Sequence, residues 1–125
     1  MCVTCSDNPH LIFILALLLT TTLLVLGGFL VLKGSGSLIA SPDGRLALVD
    51  HGHPAMATGG LGDVLAGVIG ALLAQKMAPF DAACLAVWLH ALAGEKCGAS
   101  GRGLAAADLI PVIRQLLEEQ QPCLS

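Results

Sequence analysis

Hydrophobic and polar positions follow different rhythms along this chain. Residues 11–32 (LIFILALLLTTTLLVLGGFLVL) form 22 residues of nearly continuous hydrocarbon, and no charge occurs between Asp7 and Lys33. As a helix such a run is about 33 Å long, enough to cross a bilayer. A second reading takes residues 28–32 as a buried parallel strand, because such strands are also unbroken apolar runs. Both readings stay open. A secretory signal fits less well, since residues 1–10 lack Lys and Arg and no small-x-small cleavage site follows.

After Lys33 the pattern shortens. Strands over 37–41 and 45–50 flank Ser41-Pro42-Asp43-Gly44, with Pro where a type I turn needs its fixed φ and Gly where the chain leaves the turn; this predicts a hairpin. Residues 50–60 (DHGHPAMATGG) are punctuated by Gly and Pro and read as loop. Over 61–76, Leu61, Val64, Leu65, Val68 and Leu72 recur at helical spacing. The opposite stripe, Ala66, Gly67, Gly70, Ala71 and Ala74, is small enough to admit a close neighbour, so this helix is expected to be buried on both sides. Its glycines cost roughly 1 kcal/mol each against alanine, which packing or a ligand must offset. A second helix runs from Pro79 to about Lys96, with Leu85, Trp88, Leu89 and Leu92 on one face and Ala82, Ala86 and Ala93 on the other. It too reads as buried. After a loop at 98–103, Asp108 opens a third helix with an apolar stripe of Leu109, Val112, Ile113, Leu116 and Leu117, leaving Arg114 and Glu118 on the wet side.

Composition narrows the class. At 125 residues one core is expected, yet the chain is 55% hydrophobic and only 12% charged, against about 25% charged in ordinary domains. That excludes a disordered tail, a coiled coil and a collagen-like repeat. The net charge of −3 and six scattered Lys and Arg residues give no basic stripe to neutralise a phosphate backbone, so nucleic acid is excluded as a partner. Cys2, Cys5, Cys84, Cys97 and Cys123 have no framework spacing, and reduced thiols are expected.

Two clusters carry chemistry. Thr58-Gly59-Gly60-Leu61-Gly62-Asp63 opens a helix, where glycines let backbone N–H groups converge on an anion at the positive end of the helix dipole. Spacing alone leaves Asp63 either as a helix-stabilising charge or as a general base beside a pocket for a transferring phosphoryl group. Lys33-Gly34-Ser35-Gly36-Ser37 follows the candidate strand 28–32, offering one cation, two hydroxyls and two glycines to a phosphate or ribose. His51 and His53, beside Asp50, read as loop contacts and not as a metal site. His90 reads as a hydrogen-bonded core histidine, and Trp88 as core.

In this order, VLKGSGSLIASPDGR, HPAMATGGLGDVLAGVIGALLAQ and AVWLHALAGE closely resemble the C-terminal part of the bacterial ADP-dependent NAD(P)H-hydrate dehydratases, repair enzymes of the ribokinase-like superfamily. The resemblance covers residues 31–117 and is most specific in Met56–Asp63. It implies a ribokinase-like three-layer α/β/α fold of which the C-terminal portion is present: few strands, a hairpin and three helices. It implies a lyase that phosphorylates the hydrated nicotinamide ring (NADHX or NADPHX) at the expense of ADP and expels phosphate, leaving AMP and NADH or NADPH, with Mg²⁺ screening the phosphates. By position, Lys33, Gly34, Ser35, Gly36 and Ser37 contact the adenine nucleotide, Gly59, Gly60 and Gly62 bind it as well, Gly62 as part of its anion hole, and Asp63 meets the substrate as base. Ser37 stands where relatives usually have Thr, and the hydroxyl is kept.

Only 32 residues precede Lys33, whereas these dehydratases carry a substantial segment there. The expected organisation is therefore a partial dehydratase domain over 28–125, cytoplasmic and working on small nucleotides, preceded by an unassigned hydrophobic segment 1–27. The family implies homo-oligomers at full length. Two further readings differ in class: a small membrane-anchored protein held by residues 11–32 with an inert globular part, and a ribokinase-like small-molecule kinase.

Overall fold

In the computed structural model the described residues are 27–34, 36–101 and 103–120, together with Ile14, Leu17, Leu18 and Val25. Most of the hydrophobic run 11–32 lies outside them. Its C-terminal end departs from the helical reading of that run, and from the strand reading only in the direction of pairing. Gly27 and Gly28 take φ of 60° and 139°, outside the right-handed helical region, so no helix continues to Leu32. Strand β1 (Leu30–Leu32) follows, paired antiparallel to its neighbour instead of in a parallel sheet. The reason is the short Lys33–Gly36 connection, which can only turn the chain back on itself; a parallel partner needs a crossover of a dozen or more residues. Among the described residues, no helix is long and apolar enough to cross a membrane.

Strands β2 (Ser37–Ala40) and β3 (Leu46–Val49) form the expected hairpin. The Gly44 N–H donates to the Ser41 carbonyl at 3.0 Å, and Gly44 takes φ 88°, which a side chain would strain. The three-stranded sheet has the order β1-β2-β3, with Val31, Ile39 and Ala47 side by side across it. Ile39 and Ala47 enter one core with Ala82, Ala83, Ala86 and Val87 of helix α2 (Pro79–Gly98).

Helix α2 is the centre of the molecule. It packs on β2 and β3 and carries helices α1 (Leu61–Ala74) and α3 (Ala106–Gln120) on its other sides. Small residues make that position available: Ala82, Ala86 and Ala93 are wholly buried, as the pattern predicts for a helix covered on both faces. Pro79 starts it without losing a hydrogen bond. A second core joins Leu89 and Ala93 to Leu61 of α1 and to Leu109, Ile113 and Leu116 of α3; each such leucine contributes roughly 2 kcal/mol by burial. Helix α3 begins two residues before Asp108, because the Asp108 carboxylate reaches back to accept the Ala105 N–H at 2.9 Å.

Helix α1 departs from expectation. Its leucine stripe is buried, but Ala66, Gly67, Gly70, Ala71 and Ala74 are exposed. Nothing lies within 4 Å of where a Cβ would stand on Gly67 or Gly70. Both α2 and α3 bind the leucine side, where far more apolar area is removed from water, and no described element covers the small side.

Candidate functional site

The turn between β1 and β2, the loop after β3 and the middle of α2 enclose a cavity of about 470 Å³, within the range of roughly 300–1,000 Å³ typical of small-molecule sites. Lys33, Gly34 and Ser37 line it from the turn, His51, Gly52, His53 and Met56 from the loop, and His90 from α2. Each wall has a local cause. Lys33 is the first residue past β1, and Ser37, the first of β2, is buried by its place in the ladder.

The loop is strapped to α2. Glu95 Oε1 accepts the Gly52 N–H at 2.9 Å and stands 3.2 Å from His51 Nδ1. A short 3₁₀ turn over Pro54–Met56 is capped by His53, whose Nδ1 accepts the Ala55 N–H at 3.2 Å. Met56 lies over Gly94 and His53 over Gly98, so closely that a Cβ on either glycine would overlap them. His51 and His53 are thus loop contacts. Among the described residues no group of three His, Cys, Asp or Glu side chains is placed to hold a metal ion.

Two cavity groups are electrostatically prepared. Partial desolvation lowers the Lys33 pKa, since an ammonium stripped of some of its water is destabilised until an anion meets it. His90 is 2% exposed. Burial first, and the Lys33 charge second, lower its pKa, against the raising effect of its bond to Leu61. That bond runs from His90 Nε2 to the Leu61 carbonyl at 2.8 Å and ties the cavity wall to the first turn of α1.

The first turn of α1 carries the other expected cluster. Gly60 caps it at φ 86° with no side-chain hydrogen bond, leaving its leading N–H groups without a side-chain partner from the cap, and the Asp63 carboxylate stands in that first turn at the positive end of the dipole. Gly59, Gly60, Gly62 and Asp63 are exposed there and lie beside the cavity without lining it. Lys33, Gly34 and Ser37 are therefore brought together in one cavity. Gly36 backs onto Leu48 and Val49 of β3, and Ser35 lies outside the described residues. Cys84 and Cys97 are free thiols whose pKa values are raised chiefly by burial, the opposite of an activated nucleophile; Cys2, Cys5 and Cys123 lie outside the described residues.

Sequence reasoning did not assign His51, Gly52, His53, Met56 or His90 to the site. A signal existed in Gly94 and Gly98: two glycines one turn apart on an otherwise well-formed helix mark a close approach of another segment.

A family model described as NAD(P)H-hydrate dehydratase matches residues 21–116. The bifunctional NAD(P)H-hydrate repair enzyme Nnr of Vibrio cholerae is 52% identical over 94 residues, 73% of this chain and 19% of that protein. The ADP-dependent (S)-NAD(P)H-hydrate dehydratase of Neisseria meningitidis is 42% identical over 95 residues, 74% of this chain and 32% of its own length. The chain thus spans less than a third of each. Among solved structures, the ADP/ATP-dependent NAD(P)H-hydrate dehydratase of Bacillus subtilis, co-crystallised with ATP and Mg²⁺, superposes with a TM-score of 0.79 at 30% identity, covering 88% of this chain and 40% of that one.

Proposed function

The chain belongs to the NAD(P)H-hydrate dehydratase family, and on that premise we propose that it carries the nucleotide side of an ADP-dependent lyase reaction, cytoplasmic nicotinamide-nucleotide repair. The substrate is hydrated NADH or NADPH. One observation carries the reading: Lys33, Gly34 and Ser37 line a single cavity whose wall residue His90 is bonded to the helix turn bearing Gly62 and Asp63.

Lys33 pairs with phosphate oxygens, and its partial burial strengthens that pairing. Gly34 leaves room for the nucleotide, and the Ser37 hydroxyl offers it a hydrogen bond. The open N–H groups of the α1 turn, with Gly59, Gly60 and Gly62 keeping side chains away, stabilise the charge of the transferring phosphoryl group. ADP supplies that group. The ring hydroxyl oxygen attacks the β-phosphorus, the P–O bond to AMP breaks with its electron pair leaving on AMP, and Asp63 accepts the hydroxyl proton. Phosphate then departs with the electrons of the C–O bond while a proton leaves the adjacent ring carbon, restoring the double bond of the reduced coenzyme. With no cluster of protein ligands among the described residues, Mg²⁺ fits as a counter-ion carried on the phosphates, the usual manner for this cation.

Calorimetric titration with ADP and AMP tests the reading. The wild-type chain should bind both, and Lys33→Ala should weaken ADP by roughly tenfold to a hundredfold, as expected for a charge-assisted hydrogen bond. Hydrated NADH plus ADP should regain the near-ultraviolet absorbance of NADH, and Asp63→Asn should abolish that gain while ADP binding persists. A folded wild-type sample giving no heat with ADP overturns the proposal.

A further inference from the structure

One buried polar atom in the cavity has no part in the phosphate contacts. A carbonyl oxygen only accepts, so in the 2.8 Å bond to Leu61 the proton sits on His90 Nε2. A neutral imidazole protonated there presents a bare lone pair at Nδ1. Burial and the nearby Lys33 charge both favour that neutral form. No described residue donates to Nδ1, and yet the described residues contain no sealed side-chain nitrogen or oxygen without a partner. Nδ1 of a residue that is 2% exposed is therefore not sealed off, and the space that His90 lines is the cavity it shares with Lys33, Gly34 and Ser37.

We infer that His90 is a recognition residue whose Nδ1 accepts a hydrogen bond from a neutral N–H or O–H donor of the bound nucleoside diphosphate, either the base amine or a ribose hydroxyl. This rests on the nucleotide reading of the cavity. A phosphoryl oxygen does not suit the position, because it too would present a lone pair; the anionic groups belong to Lys33. His90 thus works in two directions, holding the α1 turn through Nε2 and reading the ligand through Nδ1.

Two substitutions separate these roles in the full chain. His90→Gln puts an amide donor near the Nε2 position and removes the acceptor at Nδ1. His90→Asn keeps a polar atom near Nδ1 and gives up the bond to Leu61. Calorimetric titrations use ADP, inosine diphosphate (which lacks the base amine), 2′-deoxy-ADP and 3′-deoxy-ADP, with thermal melting recorded alongside. Leaving a buried acceptor unpaired lowers affinity by about tenfold. One of the three analogues should therefore bind the wild type about tenfold more weakly than ADP, and His90→Gln should bind that analogue and ADP alike while melting as the wild type does. His90→Asn should melt lower and still discriminate. The inference is overturned if His90→Gln binds ADP as tightly as the wild type, or if it loses ADP and all three analogues by the same factor, the mark of a purely structural role. Wild type that binds no nucleotide overturns the cavity's reading and this inference with it; wild type that binds ADP and all analogues equally overturns this inference alone.

Discussion

At Gly98 a single hydrogen atom decides whether the loop that walls the cavity can sit on α2. A Cβ there would overlap the His53 ring, as one on Gly94 would overlap Met56. Gly98→Ala should therefore lower stability by about 1–3 kcal/mol, the usual result of overpacking, and loosen ADP binding together with it; urea unfolding and calorimetry read the two effects. His90 gives a pH signature of its own. Its pKa is lower in the folded chain than in the unfolded one, so the unfolded chain takes up a proton that the folded chain refuses. The contribution of His90 to stability is therefore constant above the ordinary histidine range and falls as pH drops through it, with a slope of at most about 1.4 kcal/mol per pH unit for one proton. Denaturant unfolding across that range should show a slope that His90→Gln reduces. The leucines of each helix and the turn residues Pro42 and Gly44 were legible from spacing alone. His90 was not, since an isolated histidine in an apolar helix has the same pattern whether it faces a core or a cavity.

Elements end where local geometry demands it. The pattern carries α1 to Lys76, but the helix stops at Ala74, and Lys76 takes φ 68° while the Met77 N–H reaches back to the Leu72 carbonyl at 3.2 Å. This is a left-handed helix terminus occupied by a residue with a Cβ, a conformation that glycine adopts without strain. Lys76→Gly should raise stability by about 0.5–1 kcal/mol, visible as a higher urea midpoint at unchanged slope. The hairpin was readable because its turn chemistry is local. The antiparallel pairing of β1 was not, because an apolar strand of three residues looks the same whichever direction its neighbour runs.

For the molecule as a whole, the open side of α1 is the principal departure. Ala66, Gly67, Gly70, Ala71 and Ala74 were expected to be covered, and in the described structure they face water beside Leu73, itself 40% exposed. With that side open, Gly67→Ala and Gly70→Ala should each stabilise the chain by about 0.5–1 kcal/mol through helix propensity alone; a loss of stability would mean that something packs there. The periodicities that set which residues are apolar on one side of each helix, and the glycine, lysine and aspartate strings that carry the family likeness, are properties of nearest neighbours and so could be read along the chain. Two things required the fold. Lys33, the His51–Met56 loop and His90 share one cavity only because α2 packs under the sheet, a matter of long-range contact. Which side of α1 is covered depended on competition between a broad leucine stripe and a narrow one of alanine and glycine, and the larger apolar area took α2 and α3.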